Sequence, residues 1–319
     1  MTQPSYVVGV DLGGTKILSV CLDHQLRVVA KDIRPTLAQD GPDAVIARML
    51  GSIQAVTTGV PVKSLGISAP GPADLKEGVV TSPPNLAGWS NVPLRRLLGT
   101  ALGIPTVMEN DANAAAVAEH RLGAGRGYSH LILVTVGTGL GGGLIIEDKV
   151  YHGASGGAGE IGHMQLESKG PQCGCGRFGC LEAFSSGTAL ARDAVLIVEQ
   201  EPNGLVARLA RNEGVSPDAR ILSLAAEEGD LAAAAAVARA GRYLGAGLTN
   251  LVNIFNPEAI VIGGSLRKLG ERYLGPATEV VHREALRQPY ADVHIVEAEL
   301  GDDAPAIGAA LLAAESMTD

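Results

Sequence analysis

The sequence predicts a two-lobe α/β protein with a cleft between the lobes, and three observations carry that prediction. The chain has 319 residues, about twice the ~150 of a typical domain, so it is long enough for two separate cores. Strand-like and helix-like segments alternate along its length. Each half opens in the same way, on paired strands joined by a turn of glycine and threonine, first at Tyr6 to Leu22 and again at Leu131 to Glu147. Such a weak internal duplication suggests two related lobes, each turn pointing into the cleft.

The elements follow in order. Strand Tyr6 to Val10 leads through the turn Asp11-Leu12-Gly13-Gly14-Thr15-Lys16 into strand Lys16 to Leu22, with a further strand near Leu26 to Ile33. A helix is expected over Pro42 to Val56, then strand Ser64 to Ser68 and the turn Ala69-Pro70-Gly71-Pro72. Strand Pro105 to Glu109 feeds helix Asp111 to Arg121. The second cycle begins with strand Leu131 to Val136 and resumes after a glycine-rich turn as strand Gly142 to Glu147. Helical patterns dominate Thr188 to Phe255, among them the alanine-rich run Leu231 to Ala240. Asn256-Pro257 stops them. Strand Ala259 to Ile262 then runs into Gly263-Gly264-Ser265, and strand Val293 to Val296 precedes helix Pro305 to Ala314.

Composition excludes several classes. A hydrophobic share of 46% with 3% aromatics suits helices packed closely on sheets. The net charge of −9 argues against a general nucleic-acid surface, which needs clustered Lys and Arg to displace counterions. The apolar stretch Leu131 to Ile146 is interrupted by Thr135, Gly137, Thr138 and further glycines, which reads as two strands about a turn and not as a membrane helix. No charged-then-apolar leader opens the chain, so a cytoplasmic protein is expected, with neither nucleic acid nor membrane as partner. Cys21 alternates with Ile17 and Ser19 in an apolar segment and reads as core.

Four motifs carry chemistry. In Asp11 to Lys16 the two glycines let backbone N–H groups approach an anion, Thr15 and Lys16 add donors, and Asp11 suits hydrated Mg²⁺; an ordinary hairpin turn is the alternative. Gly137-Thr138-Gly139-Leu140-Gly141-Gly142-Gly143 places five glycines in seven residues between strands, for which close approach to a ligand is the expected reason. In Glu109-Asn110-Asp111-Ala112-Asn113, Asp111 stands where a strand ends and a helix begins, either as a helix N-cap or as an acceptor for a substrate hydroxyl, roles that are compatible. His163 with Cys173, Cys175 and Cys180 has the spacing and donor chemistry of tetrahedral Zn²⁺; a closed Cys₃His shell makes that ion structural. Metal at one ring nitrogen of His163 would leave the other as a donor to a ligand hydroxyl, beside Glu160 and Glu182, which otherwise read as surface charges.

Taken in order, Asp11 to Lys16, Glu109 to Asn113, Val136 to Gly143, Glu160 to His163 and Cys173-Gly174-Cys175-Gly176-Arg177-Phe178-Gly179-Cys180-Leu181-Glu182 resemble the ROK family (repressors, open reading frames, kinases) over nearly the whole chain. The resemblance implies an actin-like, ribonuclease-H-like two-lobe ATPase fold. It puts residues 1–121 in an N-terminal lobe, which the C-terminal helix 304–319 rejoins, and residues 122–303 in a larger lobe carrying the zinc loop. It implies that Asp111 is the catalytic base and that the sugar meets Gly71, Asn85, Asn110, Asp111, Glu160, His163 and Glu182. Phosphates would face the two turns, Asp11, Gly13, Gly14, Thr15 and Lys16 in one and Gly137, Thr138 and Gly139 in the other, with adenosine near Gly263, Gly264 and Ser265. The resemblance also suggests a homodimer or homotetramer.

The expectation that follows is ATP-dependent phosphorylation of the 6-hydroxyl of glucose, with Mg²⁺ accompanying ATP and Zn²⁺ in the loop. Glu160 and Glu182 with His163 between them offer acceptors and a donor to adjacent hydroxyls, which suits an unmodified aldohexose. Kinases for fructose, mannose, N-acetylmannosamine or N-acetylglucosamine share this framework, and polyphosphate is an alternative donor. A sugar-responsive repressor of the same family would need a DNA-reading helix-turn-helix, and the first expected strand already starts at Tyr6. A sugar-binding protein without turnover is the remaining rival.

Overall fold

The computed structural model describes residues 5–317. In chain order the elements are β1 (Tyr6–Leu12), β2 (Lys16–Leu22), β3 (Val28–Pro35), α1 (Pro42–Thr57), β4 (Val62–Ala69), β5 (Ala73–Asp74), β6 (Val79–Val80), α2 (Leu94–Leu102), β7 (Thr106–Asn110), α3 (Asp111–Leu122), β8 (Leu131–Val136), β9 (Leu140–Ile146) and β10 (Lys149–Val150). There follow α4 (Glu182–Ser185), α5 (Gly187–Gln200), α6 (Leu205–Glu213), α7 (Ala219–Glu227), α8 (Leu231–Phe255), β11 (Ala259–Gly263), α9 (Glu271–Glu284), α10 (Arg287–Ala291), β12 (His294–Glu297) and α11 (Ala304–Glu315). The chain divides into two compact units. One comprises the residues up to Gly127, Gly143–Ala158 and the residues from Glu299 onward; the other comprises Tyr128–Gly142 and Gly159–Ala298.

The first unit is built on a sheet of order β3-β2-β1-β4-β7. Strands β1, β2 and β3 form an antiparallel meander, while β1, β4 and β7 run parallel, so these three deliver their carboxyl ends to one edge. Val8, Val10, Ile17, Leu65 and Ile67 are buried in one core with Val45, Met49 and Ile53 of α1, an i, i+4, i+8 stripe that gives the helix its apolar face. Helix α11 packs on β1 and β4 of the same sheet. Its approach is set by glycine: a Cβ on Gly66 would overlap the Ala309 carbonyl, and one on Gly308 would overlap the Ala114 carbonyl of α3.

In the second unit β8, β11 and β12 are parallel, within a sheet of order β10-β9-β8-β11-β12. The alanine-rich run belongs to one helix of 25 residues, α8, capped at Asp230, whose carboxylate accepts from Ala233 N–H at 2.9 Å. The helix stops at the expected Asn-Pro pair, and Asn256 ends it in the left-handed conformation.

The glycine run is a correction. Strand β9 begins at Leu140, so only Gly137-Thr138-Gly139 forms the turn and Gly141 to Gly143 are strand residues. A Cβ on Gly142 would lie 2.6 Å from Ile161 Cδ1, and one on Gly143 would lie 2.7 Å from the Ala112 carbonyl oxygen and from Ala116 Cβ. Packing against the protein's own backbone and side chains, not the approach of a ligand, therefore excludes side chains there. Among the described residues no helix is long and apolar enough to cross a membrane.

Candidate functional site

The carboxyl ends of β1, β4 and β7 bring one group of the sequence-flagged residues together. Register pairs Asp11 with Ser68, Ser68 with Glu109, and Ala69 with Asn110, so Asp11, the Gly71 turn and the Asn110-Asp111 junction are neighbours at one sheet edge. Ligand sites in open parallel sheets form at such edges. Asp11 is buried and accepts a 2.6 Å hydrogen bond from Ser68 Oγ. Burial pushes its carboxyl up to about 7 despite that bond, and the charge of nearby Asp111 adds to the shift. A carboxylate held this way is one that a bound cation would stabilise in its charged form.

The turn after β1 is pinned from both sides. Gly13 N–H donates to the Lys16 carbonyl at 2.9 Å, and Thr36 Oγ donates to the Gly13 carbonyl at 2.7 Å. A Cβ on Gly14 would stand 2.9 Å from Asn85 Cβ, which places the Asn85 loop against the turn. Thr15 and Asn85 are exposed. Lys16 extends its ammonium to Asp302 at 3.1 Å. Gly71 sits with its Cα side toward Asn110, whose Nδ2 would be 3.9 Å from an added Cβ.

Of the two readings of Asp111, the cap is corrected. Asn110 is the N-cap: its Oδ1 accepts from Ala112 N–H at 2.9 Å and Asn113 N–H at 3.3 Å. Asp111 is the first helical residue, and its Oδ1 accepts from Ala112 N–H at 2.8 Å. The sequence reading missed two residues beneath this junction. Glu109, buried at the end of β7, accepts from Asn110 N–H at 2.8 Å and Asn113 Nδ2 at 3.0 Å through one oxygen. Its other oxygen is 2.7 Å from His152 Nε2, and that bond raises the proton affinity of the imidazole. A carboxylate inside an otherwise apolar strand, Thr106-Val107-Met108-Glu109, was the available signal.

The second unit gathers the other group. Parallel pairing sets Gly263 beside Thr135, so the Gly137-Thr138-Gly139 turn and the Gly263-Gly264-Ser265 segment leave adjacent strands; a Cβ on Gly137 would be 3.8 Å from Ser265 Oγ. Gly264 has φ +85 and presses on the backbone of Val136, a conformation and an approach that only glycine permits. Thr138 and Ser265 are exposed. The start of α5 is tied to the turn, since Gly187 N–H donates to the Gly137 carbonyl at 2.7 Å and Thr188 Oγ to the Thr138 carbonyl at 2.8 Å. Glu182 accepts from Leu140 N–H at 2.9 Å, so a residue read as a sugar contact also steadies this turn.

His163, Cys173, Cys175 and Cys180 present one donor atom each, all within 4.8 Å of one another. Zn–S bonds near 2.3 Å and Zn–N bonds near 2.0–2.1 Å at tetrahedral angles set S···S edges of about 3.8 Å and S···N edges of about 3.6 Å. Cys175 Sγ to Cys180 Sγ is 3.8 Å, and Cys173 Sγ to His163 Nδ1 is 3.6 Å. The donor set therefore fits zinc. A metal at Nδ1 would leave Nε2 as the donor nitrogen, and Nε2 lies 3.9 Å from Glu160 Oε2. Glu182 Oε1 is 3.4 Å from Cys173 Sγ, and Arg177 donates to the His163 carbonyl at 3.0 Å.

Comparison with known proteins shows the family. A family model described as the ROK family matches residues 7–316. The glucokinase of Thermotoga maritima is 36% identical over 98% of each chain. A crystal structure of a ROK family glucokinase from Streptomyces griseus, in complex with glucose and AMPPNP, superposes with a TM-score of 0.83 at 35% identity, covering 97% of this chain and 99% of that one. A xylose repressor of Caldicellulosiruptor bescii is 30% identical over 98% of this chain and 78% of its own. With the match spanning nearly every residue, and with the actin-like architecture of the ROK sugar kinases, this chain belongs to the ROK family.

Proposed function

We propose that this protein is an ATP-dependent sugar kinase that transfers the γ-phosphoryl group of ATP to the 6-hydroxyl of glucose. One observation carries the reading: Asp111 begins α3 at the carboxyl end of β7, beside buried Asp11 and just after the N-cap Asn110. Phosphoryl transfer asks the protein mainly for positioning and charge stabilisation. Asp111 accepts the proton of the attacking hydroxyl as the oxygen bonds to phosphorus and the bond to ADP breaks. Asn110, Gly71 and Asn85 hold the sugar, and the backbone N–H groups of the Gly13-Gly14-Thr15 and Gly137-Thr138-Gly139 turns receive phosphate oxygens. Asp11 would hold the hydration shell of Mg²⁺ accompanying ATP, and the ion would supply neutralisation of phosphate charge. Adenosine lies along Gly263-Gly264-Ser265.

The zinc ligands have a structural role in this account. With His163 fixed through Nδ1, its Nε2–H donates to a sugar hydroxyl, and Glu160 and Glu182 accept from neighbouring ones. That arrangement supports an unmodified aldohexose over an acetamido sugar, and the similarity to glucokinases supports glucose. The proposal includes a cytoplasmic protein that assembles as a homodimer or homotetramer. The deciding experiment is ADP release with Mg-ATP across glucose, mannose, fructose, glucosamine, N-acetylglucosamine and N-acetylmannosamine, then identification of the phosphorylated carbon. The highest kcat/KM is expected for glucose at carbon 6; preference for fructose or an N-acetylated sugar overturns the substrate, and absence of turnover with every sugar overturns the kinase. Similarity to a repressor motivates one further assay, a gel shift on promoter fragments, in which tight salt-sensitive binding would favour a regulator.

A further inference from the structure

We propose that His152 is a positioning residue for Asp111, acting through Glu109: its ring N–H holds the buried carboxylate that fixes the strand-to-helix junction presenting the base. The inference rests on the reading of Asp111 as the base. Glu109 carries the junction on one oxygen, which accepts both the Asn110 backbone N–H and the Asn113 side-chain amide and so joins the last peptide of β7 to the first turn of α3. The other oxygen takes His152 Nε2 at 2.7 Å, and because an ionised carboxylate only accepts, that nitrogen is the donor.

His152 is itself held from the chain that follows β10. Tyr151 N–H donates to the Leu144 carbonyl at 2.8 Å, and the His152 carbonyl accepts from Ala158 N–H at 3.2 Å. Without the imidazole, one oxygen of buried Glu109 loses its hydrogen-bond donor. The carboxylate then turns toward water, and the acceptor shared by Asn110 and Asn113 is displaced. Asp111 follows Asn110 directly, and alignment of a reacting group is sensitive to displacements well under an ångström. The His152 side chain is 44% exposed and absent from the apolar core, so removing it leaves the fold's main stabilisation in place.

The test compares His152→Leu, His152→Ala and His152→Gln with wild-type protein by steady-state kinetics, glucose calorimetry and thermal melting. The Leu and Ala variants are expected to lose about tenfold or more in kcat, with the glucose Kd within about threefold of wild type and little change in melting temperature. Gln retains an N–H donor and is expected to recover kcat to within about threefold of wild type. Active wild-type enzyme with an unchanged kcat in the Leu and Ala variants, or a Gln variant no better than Ala, overturns the inference alone. Wild-type protein without sugar-dependent ADP release overturns the proposed function and this inference with it.

Discussion

The Nδ1 of His163 and the Sγ of Cys173 are 3.6 Å apart, the separation of two ligands on one tetrahedral zinc ion. Under the proposed function, zinc at Nδ1 would leave Nε2 to address a sugar hydroxyl, so metal content and sugar affinity are expected to be coupled. One zinc per chain is expected by elemental analysis. Cys175 is the exposed ligand, so Cys175→Ala removes a donor with little loss of packing. The variant should lose the ion and bind glucose about tenfold or more weakly. Metal-free protein that binds glucose normally would reduce the cluster to a fold-stabilising role.

Asp11 predicts a pH signature. Its carboxyl is raised by burial from 3.8 to about 7. Below the unfolded value both states are protonated and the stability is fully present. As pH rises toward about 7 the unfolded chain ionises first, the folded state binds more protons, and stability declines, by at most about 4 kcal/mol at ~1.4 kcal/mol per unit. Urea unfolding in the absence of ligand from pH 5 to 8 should show Asp11→Asn gaining on wild type as pH rises. Parallel curves would mean that Asp11 is already compensated in the free protein.

Glu182 should affect two substrates. It accepts from Leu140 at the end of the Gly137-Thr138-Gly139 turn and also stands 3.4 Å from the Cys173 sulfur. Glu182→Ala is therefore expected to raise KM for both ATP and glucose by about tenfold, whereas Glu160→Ala, at a side chain 69% exposed, should raise only that for glucose. Initial-rate measurements varying each substrate separate the two patterns.

Helix α11 gives a stability test. Gly308 meets the Ala114 carbonyl of α3 with no room for a methyl group. Gly308→Ala should cost about 3 kcal/mol or more, or prevent folding, as read from the chemical midpoint of unfolding. A change under about 1 kcal/mol would show that the two helices separate easily.

Much of this was legible because local chemistry repeats. Apolar runs marked β1, β2 and β8, and His163 with three cysteines inside eighteen residues pointed to a metal site, whose four donor atoms the fold brings within 4.8 Å of one another. The cap was misassigned by one residue, since Asn110 and Asp111 are equally good capping types and only backbone conformation separates them. The glycine run misled because a strand that needs close packing and a turn that needs a ligand use the same residue. The pairing of Glu109 with His152 stayed hidden for a different reason: 43 residues separate them, and the motif that contains Glu109 says nothing of its partner.

Asp111 as the base of a sugar kinase is read out by sugar-dependent ADP release from Asp111→Asn beside wild type. The substitution preserves size and hydrogen bonding but removes the proton acceptor. The account predicts wild-type turnover with glucose and a loss in kcat of about 10²–10⁴-fold in the variant, with the glucose Kd within several-fold. Full turnover in Asp111→Asn would contradict it.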